Sequence, residues 1–283
     1  MAAGTMSDVE LPCIITVAIT GSVPCKEHNP AVPTTIDEQI ESTVEAHAAG
    51  ATIVHVHVRQ DDQTPTSDPE RFAQFKAAIR EQCPDIIVQF STGGRSGVGV
   101  ERGGMLHLKP EMASLATGSC NFPTRVYENS PELIENLAGA MSRYQIKPEI
   151  EVFDLAMLYS AIEYAEAGLI ESPLHVQFVL GVKNALPARR EILEFGISEL
   201  KSLMPDATWV AAGIGRYQLP VNRWCLDMGG HCRTGLEDNV RWNKSRLAAS
   251  NAELVARVAD LCGEYGRSVA TPDEARQILG LSP

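Results

Sequence analysis

Short apolar runs recur along this chain at residues 13–20, 52–58, 85–90, 112–116, 149–153, 175–181 and 207–212, with a weak, glycine-flanked eighth at 229–235, and longer amphipathic stretches separate most of them. Runs of that length read as strands and the longer periodic ones as helices, here over residues 36–49, 69–82, 133–144, 155–167, 189–204 and 239–265. Thr35 is placed to cap the first helix with Glu38 three residues on, and Thr271-Pro272 to open a short last one. A strand and helix in regular alternation demand a parallel sheet, because parallel neighbours need a crossover. No G-x-G-x-x-G follows the first strand, and polar or glycine-rich turns follow several strands instead. That pattern favours a single (β/α)₈ TIM barrel over a doubly wound open sheet. The barrel is expected to occupy the whole chain, residues 1–283, with residues 1–10 as a frayed lead-in.

Strands of a parallel barrel are covered on both faces and should read as apolar, so polar residues inside them are informative. They fall at His55 and His57, Ser91, Ser114, Glu149 and Glu151, His175 and Gln177, and His231 and Arg233. Side chains alternate along a strand, so His55 and His57 share a face while Val54, Val56 and Val58 take the other. Two neutral imidazoles about 6.6 Å apart at their Cα atoms can hold one metal ion. If the last strand stays extended, His231, Arg233 and Glu237 have one parity, and Glu237 completes a two-histidine, one-carboxylate set with an open coordination position. Asp238 stands at the head of the expected final helix, where it serves as an N-cap, a base, or both.

Composition removes several classes of function. Net charge is −12, which disfavours a nucleic-acid backbone or an anionic membrane surface as partner. The seven cysteines are scattered without a C-x-x-C pair, as expected of reduced thiols in a cytoplasm. There is no apolar run long enough for a membrane span and no basic-then-apolar leader pattern.

The ordered set Thr20-Gly21, Asn29-Pro30, Ala48-Ala49-Gly50-Ala51, His55-Val56-His57-Val58-Arg59, Gln89-Phe90-Ser91-Thr92-Gly93-Gly94, Lys109-Pro110-Glu111-Met112-Ala113, Asn121-Phe122, Gln177 to Val182, Ala212 to Arg216 and Gly229 to Asn239 resembles the β-keto acid cleavage enzymes over nearly the whole chain. The resemblance implies a TIM barrel, Zn²⁺ on His55, His57 and Glu237, and Asp238 as the base with Arg233 beside it. It also implies that Ser91, the Gly94 N–H and Ser114 hold the carboxylate of a β-keto acid, with acetyl-CoA as co-substrate, acetoacetate as product and a homotetramer as the assembly. The family usually has threonine where Ser114 stands, and the hydroxyl is retained.

One position departs from the pattern. Members that cleave 3-keto-5-aminohexanoate have a glutamate after the strand-one Thr-Gly pair to bind the amine, and here Thr20-Gly21-Ser22 leads to Val23. Valine offers an ammonium group no partner, so an uncharged or differently charged β-keto acid is the expected substrate. Arg95 could pair with a second carboxylate or a CoA phosphate, although a solvated arginine is the simpler reading. Glu149 and Glu151 are candidates to support a zinc histidine, His175 and Gln177 to orient groups in the barrel, and His28 to line the substrate mouth. A metal-dependent hydrolase on the same barrel, a non-haem iron oxygenase and a non-catalytic keto-acid-binding protein are the competing readings.

Overall fold

The computed structural model describes residues 11–281, so the expectation for residues 1–10 lies outside the described residues. Eight parallel strands close into a barrel: β1 (Ile15–Ala18), β2 (Ile53–Val56), β3 (Ile87–Phe90), β4 (Met112–Ala116), β5 (Lys147–Val152), β6 (His175–Leu180), β7 (Thr208–Gly213) and β8 (His231–Thr234). Each pairs with its neighbour in sequence, and β8 returns to β1 with Cys232 beside Ile15 and Arg233 beside Thr16.

The crossovers are α1 (Ile36–Ala48), α2 (Pro69–Gln82), a 3₁₀ segment (Gly99–Leu108), then α3 (Pro131–Tyr144), α4 (Leu155–Glu166), α5 (Arg190–Leu203) and α6 (Gln218–Asp227), and α7 (Asn251–Glu264) follows the last strand. Outward side chains such as Val54, Val56, Val88, Phe90, Ile150 and Val152 form the main apolar core against these helices. On α2, Phe72, Phe75 and Ile79 are buried at one helical face, and the Phe72 ring sits 4.5 Å from that of Phe90. Each such ring contributes about 1.5–3 kcal/mol by leaving water.

The inward faces divide by height. At the amino-terminal end Ile14, Ile53, Ile87 and Met112 pack with Ala270, Ala275 and Leu279, so the final helix α8 (Pro272–Leu279) plugs that end. Above this layer the interior is polar, with His55, Gln89, Ser114, Glu149, His175 and Gln177 all buried. His175 pairs with Glu149 at 3.2 Å and bonds Thr208 Oγ1 at 2.8 Å, while Gln177 Nε2 donates to Glu149 Oε1.

Two expectations are corrected. The long helix at residues 239–265 is shorter: α7 begins at Asn251 with Ser250 as its cap, so Asp238 caps no helix. Residues 240–250 are instead an irregular excursion whose backbone is satisfied from a distance, the Asn29 amide donating to Val240 O at 2.9 Å and Ala248 O at 2.8 Å. Nor does the last strand stay extended as far as Glu237, since β8 stops at Thr234 and the chain turns at Gly235.

Candidate active site

Two glycines bring the ends of β1 and β8 together. Gly235 has φ +132°, and a Cβ there would stand 2.2 Å from Ala18 O, so only glycine lets the chain leave β8 against β1. Gly21 has φ +65°, and a Cβ would stand 2.5 Å from Glu237 Cγ. The turn is then fixed by Glu237 N–H donating to Ala18 O at 3.1 Å.

Glu237 Oε1 consequently lies 3.8 Å from His55 Nε2 and 3.6 Å from His57 Nε2. The three ligand atoms all fall within 4.8 Å of one another, and both imidazoles are buried. His55 Nδ1–H donates to Gln89 Oε1 at 2.5 Å, with the tautomer assigned from the amide orientation. Its Nε2 therefore turns a lone pair toward a carboxylate oxygen. Burial pushes the His55 pKa down to about 4, so the ring stays neutral. Burial alone would raise the Glu237 pKa, but the charges beside it, the Arg233 guanidinium foremost, outweigh that and hold the carboxylate ionised. Glu237 Oε2 and His57 Nδ1 are buried with no hydrogen-bond partner among the described residues. Such an acceptor-rich set fits a divalent cation of zinc's preference better than it fits a self-contained hydrogen-bond network.

Arg233 ties this cluster to its neighbour. Its Nη2 donates to Glu237 Oε1 at 2.8 Å and to Asp238 Oδ1 at 2.9 Å, and its Nε to Asp238 Oδ2 at 2.9 Å. Burial raises the Asp238 pKa and Arg233 opposes that rise, leaving the group above the ordinary aspartate value. Glu151 is also deeply buried, which lifts its pKa to about 7.

These groups floor a cavity of about 590 Å³ at the carboxyl-terminal mouth of the barrel. Ser91, Gly94, Val23, His28 and Arg95 all line it, together with His57, Arg233, Glu237 and Asp238. Ser91 Oγ accepts from Gly93 N at 3.1 Å, shaping the turn after β3. Ser114 stands behind that turn rather than on the cavity wall, and its Oγ accepts from Thr92 N at 3.1 Å. Glu149 accepts from Gln177 and lies 3.2 Å from His175 rather than pairing with His55 or His57, and Glu151 lines the cavity.

The structure adds residues that the sequence reading missed. Gln39 of α1 donates to the His57 carbonyl at 2.7 Å and to Thr20 Oγ1 at 2.9 Å, locking the end of β2. A hairpin pairing residues 120–122 with 125–127 presents Phe122, Arg125 and Tyr127 to the cavity. Its short segments of mixed polarity leave no periodic signal, whereas the buried Gln39 could have been suspected from its place on the apolar face of α1.

A closed parallel barrel with buried histidine, arginine and carboxylate groups converging under a cavity at its carboxyl-terminal mouth defines a TIM-barrel enzyme. The chain belongs to the beta-keto acid cleavage enzyme family, whose model matches residues 12–281. It is 62% identical over 270 residues to 3-oxoadipate:acetyl-CoA acetyltransferase of Cupriavidus necator, covering 95% of each chain. It is also 48% identical to 3-keto-5-aminohexanoate cleavage enzyme of Fusobacterium nucleatum, over 95% of this chain and 97% of that one. Among solved structures, a ternary complex of ObcA with a C4-CoA adduct and oxalate superposes with TM-score 0.80 at 20% identity, covering 89% of this chain and 68% of that chain, which shows a shared fold.

Proposed function

We propose that this protein is a zinc-dependent acyltransferase that converts a β-keto acid and acetyl-CoA into acetoacetate and a new acyl-CoA, with 3-oxoadipate as the preferred keto acid. The observation that carries this reading is the convergence of His55, His57 and Glu237 ligand atoms within 4.8 Å beside the Arg233 and Asp238 pair. The name of the 62% identical relative supports the choice of substrate. Zinc held by His55, His57 and Glu237 would supply Lewis acidity toward the keto oxygen.

Asp238 removes a proton from the carbon between keto and carboxylate groups, and burial makes it a stronger base than a solvated aspartate. Arg233 grips both carboxylate oxygens of Asp238 and so keeps the base aimed while it changes charge. Ser91 and the backbone at Gly94 hold the substrate carboxylate, with Ser114 supporting their turn from behind through Thr92. With Asp238 holding the proton, the carbanion attacks the thioester carbon and releases CoA thiolate. The thiolate adds to the former keto carbon, and cleavage of the old carbon–carbon bond gives acyl-CoA and an acetoacetate carbanion. Asp238 returns the proton to that carbanion, so atoms and protons balance without any redox partner.

Val23 on the cavity wall gives a 5-ammonium group nothing to bind, which supports poor turnover of 3-keto-5-aminohexanoate. Seven free thiols suit a reducing cytoplasm, and a homotetramer is the proposed assembly, to be read by light scattering. The central test is an acetoacetate assay on zinc-loaded protein with 3-oxoadipate, 3-oxohexanoate and 3-keto-5-aminohexanoate, with and without acetyl-CoA. Acetoacetate from 3-oxoadipate only when acetyl-CoA is present is the expected result. Acetyl-CoA-independent hydrolysis, or no turnover of any β-keto acid, would overturn the reading.

A further inference from the structure

The chain has 36 acidic residues against 24 basic ones, so a surface arginine should readily find a carboxylate. Many do: Arg71 pairs with Asp61, Arg80 with Glu111 and Arg190 with Asp227. Arg95 and Arg125 do not. Both line the cavity, and among the described residues neither has a carboxylate oxygen within 4.0 Å.

Their placement is built rather than incidental. Arg95 follows directly on the Ser91 to Gly94 turn, and Arg125 reaches that turn from the hairpin, its Nη2 donating to Gly94 O at 2.7 Å. Two guanidiniums thus face one volume from adjacent loops, on either side of a backbone link. Partial burial and the neighbouring Arg125 charge both push the Arg95 pKa down, as expected for like charges held together without a counter-ion. A planar guanidinium pair is suited to two-pronged binding of a carboxylate or phosphate, and a bound anion relieves the repulsion.

We propose that Arg95 and Arg125 form an oxyanion clamp at the cavity mouth that receives the distal anionic group of a bound substrate. Two substrates of the proposed reaction carry such a group, the second carboxylate of a dicarboxylic keto acid and the phosphates of CoA, and the chemistry of recognition is the same. The clamp rests on that reaction only for the identity of its guests. The turn holding the first carboxylate leads straight into Arg95, so the dicarboxylic keto acid is the expected guest.

The test compares wild type with Arg95→Gln and with Arg125→Lys, which retains a charge and a donor toward Gly94. Steady-state rates are measured with 3-oxoadipate against 3-oxohexanoate, which replaces the second carboxylate by a methyl group, and with acetyl-CoA against acetyl-pantetheine, which lacks the phosphates. In Arg95→Gln the ratio of kcat/KM for 3-oxoadipate over 3-oxohexanoate should fall by roughly 10- to 100-fold, the range for one charge-assisted hydrogen bond. Arg125→Lys should lose less. A fall confined to the ratio of acetyl-CoA over acetyl-pantetheine also supports the clamp and assigns it to phosphate. Equal losses on charged and uncharged forms of both substrates, or no loss, would overturn it. Should wild type turn over no β-keto acid, the proposed reaction fails on its own, and calorimetry with adipate against hexanoate and with CoA against pantetheine still decides the clamp. Tighter binding of adipate than hexanoate, or of CoA than pantetheine, that Arg95→Gln abolishes supports it, and equal binding within both pairs refutes it.

Discussion

Gln89 Oε1 lies 2.5 Å from His55 Nδ1, an interior hydrogen bond between adjacent barrel strands that decides which nitrogen of His55 faces Glu237. Replacing the partner of a metal histidine typically costs about 10- to 100-fold in affinity. Gln89→Leu should therefore weaken zinc binding by about that factor, read by competition with a chromogenic chelator. Gln89→Glu keeps an acceptor and should retain more of the affinity. Equal zinc affinity in wild type and Gln89→Leu would remove Gln89 from this role.

Gly21→Ala tests the junction of β1 and β8. The new methyl would lie 2.5 Å from Glu237 Cγ at a φ of +65°, so strain and a displaced ligand arrive together. The strain alone should cost about 1–3 kcal/mol. Zinc should be lost beyond what that destabilisation explains, measured as metal content of the folded protein after gel filtration. Retention of a full equivalent of zinc would contradict the geometry.

Asp238→Asn preserves shape and removes the base. The expected fall in kcat is about 10²- to 10⁴-fold, the usual weight of a general base. Arg233 retains its bond to Glu237, so zinc content should stay near one equivalent. A kcat within a factor of about three of wild type would place proton removal elsewhere.

A pH experiment addresses the loop after β1. Glu38 accepts from Thr34 N and Thr35 N and pairs with Lys26 at 2.7 Å, joining the cavity-lining loop to α1. Burial opposes ionisation, but Lys26 and the two amides prevail and lower its pKa to about 2, from 4.5. The folded pKa is depressed, so the stabilisation is complete above about pH 4.5 and disappears as pH falls through about 2. The side chain is 38% exposed, so solvent screening limits the effect of Glu38→Gln to about 1 kcal/mol at pH 7. Urea unfolding of both proteins across this pH range should show their difference shrinking toward zero. A difference that grows with acidity would reverse the assignment.

Much of this architecture is legible in the residues themselves. The alternation of His55 and His57 with three valines states both the strand and its two environments, and Thr35 with Glu38 marks the start of α1. Strand parity points Glu237 toward the histidines, yet the chain reaches the site through a glycine turn that parity does not describe. The excursion at residues 240–250 mimics a helix because Val240, Leu247 and Ala248 stand at i, i+7 and i+8, the spacing of one helical face. What holds it open is Asn29, more than 200 positions earlier. Local periodicity cannot see a hydrogen bond of that span. Helix α6 is hard to see in the sequence for a related reason: Pro220 and a mixed face blur its start, and its position becomes clear only from its packing on β7 and β8.

Leu279, Ala275 and the isoleucine layer stop the far end of the barrel, so among the described residues the site opens at the carboxyl-terminal mouth. Both reactants must arrive, and both products depart, through the same opening. A bulky thioester seated last would shut the smaller acid in. The kinetic signature is a compulsory sequence of arrival and departure, visible as product inhibition by acetoacetate that competes with the β-keto acid, while acyl-CoA inhibits non-competitively against acetyl-CoA.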